Sequence, residues 1–142
     1  MRKIFITLLL LFATSLMASE INWAKDYDTG VALAKKEHKP ILFIFSRHTC
    51  KYCVLLEKET LSDEKIIKKL KEDFISIIAY SDEQDYLPRE LWRPGTPTIW
   101  FLDANAVPMY SPVPGFVGKE DFMYGLNAVM KKFNANEKIG KK

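Results

Sequence analysis

The chain has 142 residues, 48% of them apolar, with 21 basic and 18 acidic side chains that leave a formal charge of +3. This is room for one domain with a real core and too little for two, and the apolar share excludes general disorder. A nucleic-acid patch is excluded as well, because Lys68, Lys69 and Lys71 alternate with acids on a helix, while Lys138, Lys141 and Lys142 form a solvated tail.

The first residues stand apart from the domain. Arg2 and Lys3 form a basic head, and Ile4 to Leu16 is an apolar run broken only by Thr7, Thr14 and Ser15. That run is short of the roughly 20 residues a bilayer-spanning helix needs, and it suits the apolar part of a secretory signal peptide. Cleavage between Ala18 and Ser19 is expected, although Leu16 is bulky for its position; an uncleaved N-terminal tether is the alternative. No cysteine follows the run, which excludes a lipid-modified anchor. Losing Arg2 and Lys3 leaves 19 basic against 18 acidic residues, a balance of +1. The expected organisation is therefore a signal at 1–18 and one exported, periplasmic domain at 19–142, with 134–142 a frayed tail.

Along the domain, Ile21-Asn22-Trp23 reads as a short edge strand. Tyr27, Val31 and Ala34 recur at helical spacing between Lys25 and Lys39, and His38-Lys39-Pro40 stops that helix. Ile41 to Phe45 is an unbroken apolar run, the mark of a central strand covered on both faces. A helix follows the Cys50-Lys51-Tyr52-Cys53 segment as far as Thr60. Ser62 reads as the cap of a second helix over Lys65 to Leu70. Phe74 to Tyr80 is another buried strand. Ser81 to Gly95 is a polar loop with one helical turn near Glu90-Leu91-Trp92. Thr98 to Leu102 is a third strand, and Asp103 to Ala106 turns it into an edge partner at Val107 to Tyr110 that tolerates Pro108. Ser111 to Gly118 is a loop. Phe122, Leu126, Val129 and Phe133 line one face of a closing helix from Glu120 to Phe133. The order β-α-β-α-β-β-α predicts an α/β fold.

Cys50 and Cys53 are the only cysteines in the chain, and they fall where the first central strand meets its helix. Their spacing allows a small disulfide ring. A helix N-terminus presents unpaired N–H groups and partial positive charge, which stabilise a thiolate. Cys50, at the exposed end, is the candidate nucleophile. Cys53, one turn inward, is the candidate resolving thiol that attacks a mixed disulfide. A passive disulfide and half of a metal site are the alternatives. Zinc asks for four ligands, and only His38 and His48 remain beside the sulfurs. Attached haem would need histidine after Cys53, where Val54 stands. The chemistry calls for no metal and no cofactor.

Lys39-Pro40 before an apolar strand, Cys50-x-x-Cys53 followed by Glu57, the Thr60-Leu61-Ser62-Asp63 break, Gly95-Thr96-Pro97-Thr98-Ile99 before Phe101-Leu102-Asp103, and Gly115-Phe116 together resemble the thioredoxin superfamily. The resemblance, over Lys39 to Phe133, is to the thioredoxin-like C-terminal domain of the periplasmic thiol:disulfide interchange reductase. It implies a thioredoxin-like fold, a central mixed sheet flanked by helices on both faces. It also implies a redox disulfide between Cys50 and Cys53, a cis peptide bond before Pro97, and substrate-peptide pairing at Thr96. Glu57, one turn after Cys53, would tune that thiol or accept its proton; an exposed helix glutamate is the plain alternative. His48 would stabilise the Cys50 thiolate when protonated, unless it is a loop histidine without such a contact.

Two departures stand out. Thioredoxin carries tryptophan before the first cysteine and a buried aspartate six residues before it, where this chain has Thr49 and Ile44. Proton removal from Cys53 must then rely on Glu57, water or the substrate thiolate. The expected activity is reduction of protein disulfides by a monomer recharged by a membrane-bound electron donor. An oxidase or isomerase of the same fold is the alternative, as is a module that grips extended peptides at Thr96-Pro97 without turnover.

Overall fold

The computed structural model describes residues 20–140, so the expected signal at 1–18 lies outside the described residues. The chain forms helix α1 (Tyr27–Glu37), strand β1 (Ile41–Ser46), helix α2 (Lys51–Leu55) continued by a π turn (Leu56–Thr60), and helix α3 (Glu64–Asp73). Strand β2 (Ile75–Tyr80), a 3-10 turn (Arg89–Leu91), strand β3 (Thr98–Leu102), strand β4 (Val113–Pro114) and helix α4 (Lys119–Gly140) complete it.

The sheet order is β2-β1-β3-β4. Strand β1 pairs in parallel with β2 and antiparallel with β3, and all six of its residues are buried. Alternation along β1 divides the core. Leu42 and Ile44 pack with Leu56, Ile66, Leu70, Phe122, Leu126, Val129 and Phe133 on one face. Ile41, Phe43 and Phe45 pack with Ala34, Leu91 and Trp100 on the other. This is the mixed, doubly covered sheet expected from the apolar run.

Several local expectations are refined. Trp23 makes a single parallel bridge to Ser76, so the first segment is a contact at the sheet margin and not a strand. Asp63, and not Ser62, caps α3: its carboxylate accepts from the N–H groups of Lys65 and Ile66, at 3.0 and 3.2 Å. The Ser62 hydroxyl donates back to the Lys58 carbonyl instead. The expected hairpin partner at Val107 to Tyr110 contributes only a bridge from Pro108 to Leu102. The paired edge is Val113–Pro114, inside the segment read as a loop, because β3 is met again after the chain bends away at Tyr110. Helix α4 runs on to Gly140, past the end read at Phe133, although no described residue beyond Phe133 is buried.

The join between α1 and β2 is tight. A Cβ at Gly30 would come within 2.4 Å of Ile77 Cδ1 and 2.5 Å of Cγ1, and Ile77 is itself buried. Overpacking costs about 1–3 kcal/mol, against about 1 kcal/mol recovered by removing glycine from a helix. Gly30→Ala is therefore expected to destabilise the domain by about 1 kcal/mol, read as a lower urea midpoint at unchanged slope. Adding Ile77→Val, which removes the nearest methyl, should restore part of the loss.

Candidate active site

Strand β1 ends at Ser46, and Arg47-His48-Thr49 carries the chain to the start of α2. Cys50 is the N-cap of that helix, in extended geometry (φ −86°, ψ 120°). The Cys53 N–H donates to Cys50 Sγ at 3.3 Å, so sulfur takes the role an Asp or Ser oxygen plays at an ordinary cap. Cys50 is partly exposed and Cys53 fully buried, and both are free thiols.

Their environments push them apart. Burial raises Cys50, but hydrogen bonds from the Cys53 and Thr96 side chains and from the Cys53 and Tyr52 backbone outweigh it and hold the thiol below its ordinary value. The Cys50 S–H also donates to the Thr96 carbonyl at 3.3 Å, a contact that by itself favours the protonated form. The donors aimed at the sulfur prevail. Cys53 moves the other way: burial is the main cause and the neighbouring Cys50 sulfur adds to it, with Thr96, Ser46 and the Arg47 backbone pulling partly back.

Facing the sulfurs, the Thr96–Pro97 peptide bond is cis. Its surroundings hold it on both sides. Gly95 takes φ +97°, a conformation glycine adopts freely, and its carbonyl accepts from Thr98 Oγ1 at 3.0 Å. The Gly115 N–H donates to the Pro97 carbonyl at 2.8 Å. Upstream, Trp100 Nε1 donates to the Leu91 carbonyl at 2.9 Å while the Arg93 guanidinium lies over the Trp100 ring.

Glu57 is half-buried at the start of the π turn. The wider turn is closed by the Leu61 N–H, which donates to the Leu56 carbonyl at 2.9 Å. Glu57 Oε1 accepts from Ser46 Oγ at 3.3 Å and from the Tyr80 hydroxyl at 3.2 Å. Burial, followed by the Glu57 charge, pushes the Tyr80 phenol well above its ordinary value, so it stays a donor. His48 is placed elsewhere. Its Nε2 pairs with Glu83 at 2.7 Å, its ring stacks on Tyr80 at 3.9 Å, and its N–H donates to Asp82 at 3.0 Å. The bond to Glu83 raises the imidazole above its ordinary value. The structure thus brings together Cys50, Cys53, Thr96 and Pro97, sets Glu57 behind Cys53, and turns His48 toward the acidic loop after β2.

Ser46 and Tyr80 went unnoticed in the sequence. The available signal was that both central strands end on a hydroxyl-bearing residue; the β1–β2 register sets those two side by side.

The model of the thioredoxin-like domain matches residues 27–130, and the chain belongs to that family. Among curated proteins, it is 31% identical over 88 residues to anterior gradient protein 3 of Mus musculus, covering 61% of this chain and 52% of that protein. It is 34% identical over 100 residues to the thiol:disulfide interchange protein DsbD of Yersinia enterocolitica, covering 67% of this chain and 17% of that one. The chain thus spans about half the length of the mouse relative and a small part of DsbD. Among solved structures, a thioredoxin from Thermus thermophilus superposes with a TM-score of 0.69 at 25% identity, covering 83% of this chain and 93% of that one. The oxidised C-terminal domain of DsbD from Neisseria meningitidis shares the fold, with a TM-score of 0.58 at 23% identity over 71% of this chain and 90% of that domain. The fold is thus a thioredoxin-like oxidoreductase fold, with relatives among thiol:disulfide interchange proteins.

The opposed shifts of the two thiols set an order of reaction. With limiting iodoacetamide at about pH 7, Cys50 carries the larger thiolate fraction and is expected to be alkylated first. Cys53 should follow only at higher pH or after unfolding. Peptide mapping by mass spectrometry reads the order, and labelling of Cys53 first would reverse the assigned roles.

Proposed function

We propose that this protein is an exported thiol:disulfide oxidoreductase that reduces protein disulfides through Cys50 and Cys53. The observation that carries the reading is the polarised pair: a partly exposed sulfur capping a helix, and a buried one behind it. In the reaction, the Cys50 thiolate attacks one sulfur of a substrate disulfide, and the other substrate sulfur leaves as a thiolate and takes a proton. Cys53, deprotonated, then attacks Cys50 Sγ in the mixed disulfide and expels the second substrate thiolate. Two electrons pass to the substrate, and the protein is left with a Cys50–Cys53 disulfide. A dithiol donor at the membrane recharges it by the reverse exchange. Backbone groups of Thr96, beside buried Pro97, offer strand-like pairing to an extended substrate segment.

Export rests on the basic head and apolar run at the N-terminus, with cleavage after Ala18 and a monomeric domain released into the periplasm. Among the described residues no helix is long and apolar enough to cross a membrane.

Direction follows from charge. A helix N-terminus favours the Cys50 thiolate and raises the potential, whereas the carboxylate of Glu57 near Cys53 opposes further negative charge. The couple is expected below about −200 mV, within the roughly −270 to −120 mV range of such proteins. Equilibration in glutathione buffers with alkylation gels measures it, and a value above about −150 mV would replace the reductase by an oxidase. Cys50→Ser is expected to abolish insulin reduction. Cys53→Ser should trap mixed disulfides with exported proteins that dithiothreitol releases; absence of any covalent partner would favour a peptide-binding module.

A further inference from the structure

Cys53 must lose a proton to act as the resolving thiol, and it is fully buried. The position six residues before Cys50 holds Ile44, an apolar residue buried in the core. The polar group nearest the end of β1 is Ser46, with 1% of its surface exposed. Its hydroxyl donates to Glu57 Oε1 at 3.3 Å, and Tyr80, its register partner on β2, donates to the same oxygen at 3.2 Å. Ser46 also acts on the Cys53 thiol, pulling it partly back toward its ordinary value against the rise that burial causes. Beyond Glu57 lies a cavity of about 270 Å³, lined by Glu57, Tyr80, Trp23 and Ile21 and by exposed Glu20 and Ser62. It is wide enough for several water molecules.

We propose that Ser46 is the proton relay of the resolving step: its hydroxyl passes the Cys53 proton to Glu57, whose carboxylate is held by Tyr80 and drains to water through this cavity. The inference rests on Cys53 being the resolving thiol. The transfer balances at each atom. The Cys53 S–H proton goes to Ser46 Oγ as the Ser46 hydroxyl proton goes to Glu57 Oε1. Ser46 keeps one proton, now directed at the new thiolate, and Glu57 becomes a neutral acid. The Cys53 thiolate attacks Cys50 Sγ, the bond from Cys50 to the substrate sulfur breaks, and that sulfur leaves with the electron pair. Glu57 returns its proton to water in the cavity, or to the departing thiolate through it. Tyr80 is a positioning residue: it never exchanges its proton and fixes the carboxylate against rotation.

Other ionisable groups surround the path. Cys50 lies on the same helix as Cys53, and Glu20 lines the cavity. The His48 ring, paired with Glu83, stacks on Tyr80, and Asp82 accepts from the His48 N–H. None stands between Ser46 and Glu57, which are in direct contact.

The test follows the reduced protein mixed with an aromatic disulfide whose released thiolate is coloured. The first equivalent of colour reports attack by Cys50, and the second reports resolution by Cys53; far-UV circular dichroism of each variant shows that it is folded. Ser46→Ala and Glu57→Gln are each expected to slow the second phase about 10-fold or more near neutral pH and to move its rise to higher pH. Together they should be no slower than either alone, because both break one path. Ser46→Thr, which keeps the hydroxyl, should restore the wild-type profile. Tyr80→Phe, which leaves β1 untouched, should shift the profile upward in the same sense. A second phase in Ser46→Ala within about two-fold of wild type, or effects of Ser46 and Glu57 that multiply, would overturn the relay. A first phase that survives Cys50→Ser would instead overturn the assignment of the two cysteines, and the relay with it.

Discussion

A strand covered on both faces has no solvent-facing side, so its polar groups and its function have to collect at its end. Strand β1 is that strand: Ile41 to Phe45 contribute apolar side chains to two cores, and the strand is paired with β2 on one side and β3 on the other. Its sixth residue, Ser46, is the first that is polar and still buried. The two cysteines follow within a few residues. The chain turns through Arg47 to Thr49, opens α2 at Cys50, and passes Cys53 back over the same strand end.

The two cysteines share one helical turn and still differ in kind, because desolvation and hydrogen bonding act on them in different proportions. Both are raised by burial. Cys50 sits at the helix end, where donors that no backbone carbonyl claims are free to converge on sulfur. Cys53 lies inside the first turn, and its own N–H is one of the donors spent on Cys50. A cap that stabilises one thiolate thus leaves its neighbour the weaker acid, and the difference between the two thiols is built into the spacing.

Past Cys53 the chain continues into the π turn, which opens with Glu57 next to Leu56. Glu57 reaches the ends of β1 and β2, where two hydroxyls meet one carboxylate oxygen. Thr60 closes the turn by donating to the Val117 carbonyl at 2.6 Å, which ties it to the segment leading into α4. Among the described residues no buried side-chain polar atom lacks a partner, so this polar cluster is satisfied in the resting state.

Local pattern alone determined a good deal. The apolar runs at Ile41 to Phe45 and Thr98 to Leu102 became strands where they were read, since continuous burial requires such composition. The spacing of Phe122, Leu126, Val129 and Phe133 became the buried face of α4 for the same reason. The cysteine pair was equally legible, because capping is local and two intervening residues suffice to place it. Features that depend on choice among near-equals were not. Ser62 and Asp63 are both good caps, and only the one that reaches the N–H groups of Lys65 and Ile66 serves. An edge strand two residues long makes almost no demand on composition, so Val113–Pro114 could not be told from the segment before it. Length of α4 past Phe133 was decided without burial, and no periodicity marks it. Tertiary structure alone decided the partners of the side chains around the sulfurs. Parallel pairing brings Tyr80 beside Ser46 across more than one intervening helix, and the loop after β2 supplies the carboxylate that takes His48. These contacts join residues distant in sequence, and which side chains meet is set by strand register, a property no single stretch of the chain contains.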